Sequence, residues 1–157
     1  MVFIISYSRK KFKLTLPIRE IQESDASQEF VNELTPINDI DLEFLVPYNV
    51  DDRYIFVYDL DDRVMAFLTF YDKVDHYHLD LVETNRMHPE SDKLNPGIAL
   101  ILTLEGLSRN ANFDIITLHS TPDNIGLYQS RGYVVNGESY YFSDYNVMLT
   151  PMIKHLT

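Results

Sequence analysis

Short stretches in which apolar and polar residues alternate recur along the chain, and each of them predicts a β-strand. Residues 12–16 alternate in this way and are followed by Pro17, which cannot donate a ladder hydrogen bond, so this strand is expected at a sheet edge. Apolar residues over 54–58 and 64–71 predict two further strands. The polar segment 60–63 between them predicts a hairpin turn.

The remaining strand signals lie in the second half of the chain. Alternation over residues 77–82 predicts a fourth strand. Residues 113–119 are rich in Ile and Leu, so this strand is expected to be buried on both faces. Residues 133–135, and residues 140–149 around a turn at 143–144, predict a final pair of strands.

Helical spacing of apolar residues predicts two helices in the first third of the chain. The first follows a capping residue, Ser24 or Asp25, and ends before Pro36. The second is acidic, covers about residues 39–46 and ends at Pro47. The residues expected to face inward in these helices are Phe30, Val31, Leu34, Ile40, Phe44 and Leu45.

Two more helices are expected later in the chain. Gly97 opens the longer one, and Thr121 as N-cap with Pro122 at the first position begins the last, which Gly132 ends. The core-facing stripe of the longer helix is Leu100, Leu104, Leu107 and Ala111. This order of elements predicts an α/β (α+β mixed) fold in which a single sheet carries helices on both faces.

Length and composition set limits on the class of protein. A chain of 157 residues fits one domain over residues 1–157, in which residues 1–11 can form a flexible lead-in. The absence of cysteine excludes disulfides, thiolate zinc sites and a cysteine nucleophile. No apolar run approaches the ~20 residues of a membrane span, and no signal segment is evident, so a cytoplasmic protein is expected.

The chain is strongly acidic, with a net charge of −11 from 24 acidic and 13 basic residues. Such a field repels nucleic acid and anionic membranes, so neither is expected as a partner. It attracts cations, and a cationic amine substrate would suit it. An acidic surface that serves only solubility explains the same charge.

The passage from the fourth strand into the long helix contains the first candidate site. Val82 ends the strand, residues 83–96 form a polar loop, and Gly97-Ile98-Ala99 begins the helix. The first N–H groups of a helix lack intrahelical partners and lie at the positive end of its dipole, so they can bind a phosphate. A plain loop with a glycine near a helix start would give the same pattern.

A second candidate segment follows about thirty positions later. Leu127-Tyr128 lies in the short last helix, and Gly132-Tyr133 follows it. The order and spacing of the two segments resemble the GNAT superfamily of acetyl-CoA-dependent N-acetyltransferases. The motifs cover the C-terminal half. The resemblance implies a mostly antiparallel central sheet of about seven strands, with a parallel fourth and fifth strand pair and about four flanking helices.

The resemblance also implies a site for acetyl-CoA as cosubstrate. In the family, amides of the loop before the long helix hold the pyrophosphate of coenzyme A. Here Leu94 stands where Arg or Gln is usual, Lys93 lies one position earlier, the loop is longer than the family norm, and Thr121 takes the usual Asn place in the second motif. The implied cofactor-binding residues are Val82, Lys93, Leu94, Asn95, Gly97, Ile98, Ala99, Asn124 and Tyr128.

Three residues are candidates for the chemistry. Tyr128 matches the family tyrosine that protonates the departing thiolate, which a phenol with a pKa of ~10 can do. A core tyrosine packed on the sheet is the alternative, since the chain has 11 tyrosines. Glu83 is the first candidate for the base that deprotonates the amine, and His78 is the second. A solvated loop acid and surface histidines would explain them equally.

A metal site is also considered and not expected. His76 and His78 share one face of the fourth strand, together with Asp80. The spacing offers no third ligand for a tetrahedral zinc site.

These features predict an enzyme that transfers an acetyl group from acetyl-CoA to a primary amine, in a small molecule or a peptide, by direct attack. A catalytically inactive GNAT-like protein that binds coenzyme A or a regulatory partner is the alternative, and the missing Arg or Gln and the longer loop favour it. Acidic residues that could attract an ammonium group, or simply form a solvated face, are Asp39, Asp41, Glu43, Asp51 and Asp52. A homodimer is left open.

Overall fold

The computed structural model describes residues 9–31, 42–87, 94–144 and 146–156. This part of the chain contains eight strands: β1 (Ile18–Glu20), β2 (Arg53–Leu60), β3 (Arg63–Asp72), β4 (Tyr77–Thr84), β5 (Ile115–Ser120), β6 (Val134–Val135), β7 (Tyr140–Phe142) and β8 (Val147–His155). Its α-helices are α1 (Leu42–Leu45), α2 (Pro96–Asn110) and α3 (Ile125–Ser130), and 3-10 helices cover Glu23–Ser27, Val46–Tyr48 and Pro122–Asn124.

The strands form one mixed sheet in the order β1-β2-β3-β4-β5-β8-β6, with β7 paired to β8. Among the described strands, β4 and β5 are the only parallel neighbours, and α2 lies in the crossover between them. The predicted α/β (α+β mixed) fold with a parallel fourth and fifth strand pair is therefore confirmed. No helix in the described residues is both long enough and apolar enough to cross a bilayer.

The two faces of the sheet bury separate cores, because side chains along a strand alternate in direction. Tyr54 and Phe56 of β2 lie in the core that contains the apolar stripe of α2. Ile55 and Val57, which alternate with them, lie in the core that contains the buried residues of α1. Helices therefore cover both faces of the sheet, as the element order predicted.

The turns and the long helix follow the local signals. Asp61 and Asp62 both have positive φ, 52° and 63°, as a two-residue turn between twisted strands requires, and the predicted hairpin is confirmed. Leu100 and Leu104 of the predicted stripe of α2 are fully buried. Gly132 follows α3 with a φ of 93°, a conformation that favours glycine, which confirms it as the end of that helix.

The position that the sequence predicted for the first strand is wrong. Residues 12–16 form no strand; β1 begins after Pro17, and it is the edge strand of the sheet. The alternation of residues 12–16 instead reflects packing. Phe12 makes edge-on ring contacts with Tyr54, Phe56, Phe70 and Tyr77 at centroid distances of 4.9 to 6.1 Å. An aromatic cluster, rather than a ladder partner, holds this segment.

The helix predicted from Ser24 or Asp25 is also wrong over residues 28–31, since only the 3-10 helix Glu23–Ser27 forms there. Asp25 is buried, and its carboxylate accepts two hydrogen bonds from Arg19 and one from the main-chain N–H of Gln22. These contacts tie the segment to β1. Leu34 and the predicted end of this helix lie outside the described residues.

In the second predicted helix, Phe44 was expected to face inward and is 51% exposed, so that expectation is wrong. Leu42 and Leu45 supply the buried face of α1, and Pro47 lies inside the following 3-10 helix rather than ending the helical segment. Ile40 lies outside the described residues. The expectation that β5 is buried on both faces is wrong too, because buried residues alternate along it and His119 is exposed.

Candidate active site

The parallel strands β4 and β5 separate part of the way along the sheet. They pair only from Tyr77 to Leu79 on β4 and from Ile116 to Leu118 on β5. Beyond this point β4 continues along β3, and β5 continues along β8. Within the described part of the chain, residues 80–84 therefore pair with β3 on one side and with no strand on the other, so β4 has an open edge that faces away from β3.

A β-bulge lies where the strands separate. Thr69 is opposite Leu81, and Phe70 is opposite Leu79, so Asp80 is an extra residue on β4. A bulge bends its strand and changes the direction of the side chain there. The bulge thus accounts for both the divergence of β4 and the placement of the Asp80 carboxylate.

A cleft of about 980 Å³ opens from this separation and runs between the start of α2 and α3. Val82, Glu83, Gly97, Asn124 and Tyr128 all line it. The other residues in its wall that matter for the chemistry are Arg53, Tyr71, His78, Asp80, Arg86, His119 and Tyr140. The structure therefore brings together the two sequence motifs and adds residues from β2, β3, β4, β5 and β7.

The start of α2 has no side-chain cap. Asn95 precedes the helix in the left-handed conformation, with φ of 46°, and its side chain makes no capping hydrogen bond. Pro96 has no N–H, and the first turn of the helix contains no acidic residue. The N–H of Ala99 bonds the Asn95 carbonyl at 3.1 Å, so the N–H groups of Gly97 and Ile98 precede the first turn of the ladder. This end of the helix can bind an anion.

Gly97 lies against the end of β4. A methyl group added to it would lie 3.7 Å from Val82 and 3.6 Å from the Thr84 hydroxyl, which are ordinary contact distances. The turn into α2 and the free edge of β4 are therefore adjacent. Leu94 is exposed and does not line the cleft, and Lys93 lies outside the described residues.

Tyr128 lies on α3 and is 8% exposed. Its ring packs edge-on against Tyr133, with centroids 5.6 Å apart, and its hydroxyl makes no hydrogen bond within the described part of the chain. Burial, with a smaller effect from the negative charge of Glu83, raises the pKa of Tyr128 to about 12. The hydroxyl is therefore protonated at neutral pH and can donate a hydrogen bond to a ligand in the cleft.

Asn124 and Thr121 lie at the rim of the cleft near Tyr128. Asn124 donates a side-chain hydrogen bond to the Thr121 hydroxyl at 3.2 Å. Thr121 takes the N-cap position of the 3-10 helix Pro122–Asn124, as the sequence predicted, but its side chain caps no main-chain N–H. Both side chains thus lie at the surface of the cleft.

His78 and His119 lie at the other end of the cleft, with ring centroids 5.0 Å apart. His78 Nδ1 forms a 2.7 Å hydrogen bond with the Thr117 hydroxyl, and His119 Nδ1 bonds the hydroxyl of Tyr140. Burial, followed by the neighbouring positive charge of a protonated His119, lowers the pKa of His78 to about 4. Burial also lowers the pKa of His119. Both rings are therefore neutral at pH 7 and weak as bases.

Asp80 accepts hydrogen bonds on one carboxylate oxygen from Arg53, at 3.1 Å, and from the Thr69 hydroxyl, at 3.2 Å. Burial raises the pKa of Asp80, and the positive charge of Arg53 opposes that rise. A carboxylate with a raised pKa is a stronger base than an ordinary one. Asp80 is thus a candidate base. The sequence analysis placed it on the same face of the fourth strand as His78 but assigned it no role.

No sequence pattern indicated that several residues of the cleft belong to the site. Arg53, His119 and Tyr140 belong to strands far apart in the chain and carry no local motif. His76, by contrast, lies before β4 and contacts exposed Asp75 at 2.7 Å rather than joining the cleft. In the described residues no group of three potential metal ligands occurs.

The acidic residues considered for acceptor binding do not contribute to the cleft where the structure describes them. Glu43, Asp51 and Asp52 are absent from its lining. Asp39 and Asp41 lie outside the described residues.

No protein-family model matches the sequence, and no curated protein matches it significantly. Solved structures do resemble the fold. Ard1 from Thermoplasma volcanium has a TM-score of 0.70 at 18% identity, with 89% of this chain and 97% of that chain covered. The ribosomal-protein-S18-alanine N-acetyltransferase from Escherichia coli has a TM-score of 0.66 at 15% identity, with 89% and 93% covered.

A third similar structure is a candidate streptothricin acetyltransferase from Bacillus anthracis, in complex with acetyl coenzyme A. Its TM-score is 0.55 at 14% identity, with 69% of this chain and 65% of that chain covered. At these identities the likeness establishes the fold. The chain has the fold of the GNAT acetyltransferases, and the resemblance noted in the sequence is confirmed at that level.

Proposed function

We propose that this protein is an N-acetyltransferase that transfers the acetyl group of acetyl-CoA to a primary amine by direct attack. The observation that carries the proposal is the separation of β4 from β5 beside the uncapped start of α2, with Tyr128 in the wall of the same cleft. Fold neighbours that are named as N-acetyltransferases, one of them with acetyl coenzyme A bound, support it.

The start of α2 would hold the diphosphate of coenzyme A. The N–H groups of Gly97 and Ile98 are available there, and the helix dipole favours a negative charge. Main-chain groups do this work, so Leu94 in place of Arg or Gln removes one side-chain contact and leaves the helix terminus intact. Asn124, across the cleft, would contact the pantetheine arm.

The free edge of β4 would hold the acetyl group. Main-chain N–H groups of residues 80–84 that face the cleft can donate to the thioester carbonyl, which gains negative charge as the amine attacks. Because the sheet holds these donors in place, they need no reorganisation during the reaction. Val82 lies in the middle of this segment.

Tyr128 would stabilise the departing thiolate. An ordinary thiol has a pKa of ~8.5. Since the pKa of Tyr128 is raised to about 12, complete proton transfer from its hydroxyl to the thiolate is unfavourable. The hydroxyl therefore acts by donating a hydrogen bond to the charge that develops on sulfur, and solvent supplies the final proton.

The carboxylates are better bases for the amine than His78. His78 has a pKa of about 4, and its Nδ1 is already bonded to Thr117. Glu83 lies on the part of β4 that continues beyond its pairing with β5, near enough to Tyr128 to affect its pKa, and remains the first candidate. Asp80 is the second. If Glu83 is the base, Glu83→Gln removes the rise of rate with pH, and a rise that is unaltered in this variant would exclude it.

Binding and turnover can be tested separately. Acetyl-CoA and desulfo-CoA should both raise the melting temperature, since each carries the diphosphate. Release of free thiol on addition of amine panels then measures turnover. No thermal shift at millimolar ligand would refute the coenzyme site, whereas binding without thiol release from any amine would support the inactive GNAT-like alternative. The cytoplasmic location stays a prediction from the sequence, and the homodimer stays open.

A further inference from the structure

Arg53 and Asp80 form an ion pair in the wall of the cleft. Arg53 Nη2 contacts Asp80 Oδ2 at 3.1 Å, and the Thr69 hydroxyl donates to the same oxygen at 3.2 Å. Within the described part of the chain, Arg53 Nη1 and Asp80 Oδ1 make no hydrogen bond, and Arg53 Nε is buried without a partner. The pair thus keeps unused donors and an unused acceptor side by side.

The guanidinium of Arg53 packs against two aromatic rings. It lies 5.3 Å from the ring centroid of Tyr48 and 5.3 Å from that of Tyr71, which is directly opposite Arg53 in the β2–β3 ladder. Aromatic rings restrict a guanidinium without using its N–H groups. A planar, preorganised fork of this kind is suited to a carboxylate.

The charge of the cleft does not favour a polycation. Three acidic residues, Asp80, Glu83 and Asp123, and two basic ones, Arg53 and Arg86, line it. The net charge of −11 is therefore not concentrated in this wall. A nearly balanced cleft with one partly buried ion pair in its wall is complementary to a small zwitterion.

We propose that the acceptor is a free α-amino acid, whose ammonium group binds Asp80 and whose carboxylate binds Arg53. This inference rests on the proposed acetyl transfer and names its substrate class. In an α-amino acid one carbon separates the two charged groups, so both can reach side chains that are 3.1 Å apart. Asp80 begins the free segment of β4, which places the nitrogen next to the thioester.

The reaction balances with these groups. The amine loses a proton to a carboxylate of the cleft, and its lone pair attacks the thioester carbonyl carbon. The N–C bond forms, the C–S bond breaks, and the sulfur leaves as a thiolate that takes up a proton. The products are an N-acetyl amino acid and coenzyme A.

The test compares matched acceptors on the full-length protein. Initial rates of thiol release are measured for the protein amino acids, their amides and the corresponding decarboxylated amines, at equal concentrations of neutral amine. Loss of a charge-assisted hydrogen bond to a partly buried guanidinium is expected to lower kcat/KM for the amide by about ten- to a hundredfold. The decarboxylated amine should be at least as poor.

Variants of Arg53 test the residue itself. Arg53→Gln should reduce the ratio of kcat/KM for the amino acid to that for its amide towards one, while Arg53→Lys, which keeps the charge and loses the fork, should give an intermediate ratio. The ratio is measured within one protein sample, so a lower folded fraction cancels out of it. Lys11→Gln, at an exposed residue outside the cleft, is the matched control and should keep the wild-type ratio.

The outcomes separate this proposal from the proposed function. Amides or simple amines that react as well as amino acids would overturn the acceptor class and leave acetyl transfer standing. An unchanged ratio in Arg53→Gln would overturn the role of Arg53. Acetylation of peptides without acetylation of any free amino acid would also overturn the acceptor class. Absence of any acetyl-CoA-dependent thermal shift would instead refute the acetyltransferase proposal on which this one rests.

Discussion

Tyr128→Phe separates catalysis from folding, because the substitution removes one oxygen and keeps the ring. The ring is 8% exposed and packs edge-on against Tyr133, and phenylalanine preserves both features. The hydroxyl makes no hydrogen bond within the described part of the chain, so its loss should change the free energy of unfolding by less than ~1 kcal/mol.

The effect on turnover should be much larger. A hydrogen bond to a charged group contributes about 1.5–3 kcal/mol, which corresponds to a decrease in kcat of roughly 10- to 150-fold. The affinity for acetyl-CoA should be unchanged, because the thioester sulfur carries no charge before the reaction. The pKa of Tyr128 is about 12, so ionisation of Tyr128 should not reduce the wild-type rate below about pH 11.

The assay is steady-state thiol release with acetyl-CoA varied at saturating amine, together with urea denaturation of each protein. Tyr141→Phe is the control, since Tyr141 is an exposed tyrosine outside the cleft lining, and it should retain wild-type kcat. A kcat of Tyr128→Phe within about twofold of wild type would refute the assigned role. A large loss of stability would show that the hydroxyl has a structural partner.

Three further predictions concern stability. Lys154→Met should lower the free energy of unfolding by about 3–5 kcal/mol, because Lys154 Nζ lies 2.7 Å from the buried carboxylate of Glu105 and its loss leaves that charge without this partner. Adding Glu105→Gln, which removes the charge, should recover part of the loss. Gly132→Ala should lower it by about 1–2 kcal/mol, because φ there is 93° and the new methyl group would lie 3.4 Å from Lys154 Cε. The free energy of unfolding should also fall as pH drops from 6.5 towards 4. In this range His78 becomes protonated in the unfolded chain but not in the folded protein, where its pKa is about 4. This difference accounts for at most ~3 kcal/mol, and the fall should be smaller in His78→Gln.

Chemical denaturation measures all three, and each has a contrary result. Equal stability of Lys154→Met and wild type would mean that Glu105 reaches water. A Gly132→Ala protein as stable as wild type would mean that the turn relaxes at little cost. Identical pH dependence in His78→Gln and wild type would mean that His78 is protonated equally in both states.

The sequence by itself determined the features that depend on neighbouring residues. Asp61 and Asp62 specify the turn between β2 and β3, because aspartate tolerates the positive φ that such a turn needs. Leu100 and Leu104 recur at the helical period, so they predict the buried face of α2. Gly132 marks the end of α3 for a similarly local reason. The two motifs that line the cleft were found in the same way.

Only the tertiary structure decided where the chemistry comes together. Residues 12–16 have the alternation of a strand but lie on an aromatic cluster, and the ladder begins after Pro17. The bulge at Asp80 depends on the register between β3 and β4, and its ion pair with Arg53 joins residues 27 positions apart. Register and bulges are set by hydrogen bonds and packing between segments that are distant in the chain. A local sequence pattern therefore does not determine which strand will lie opposite it.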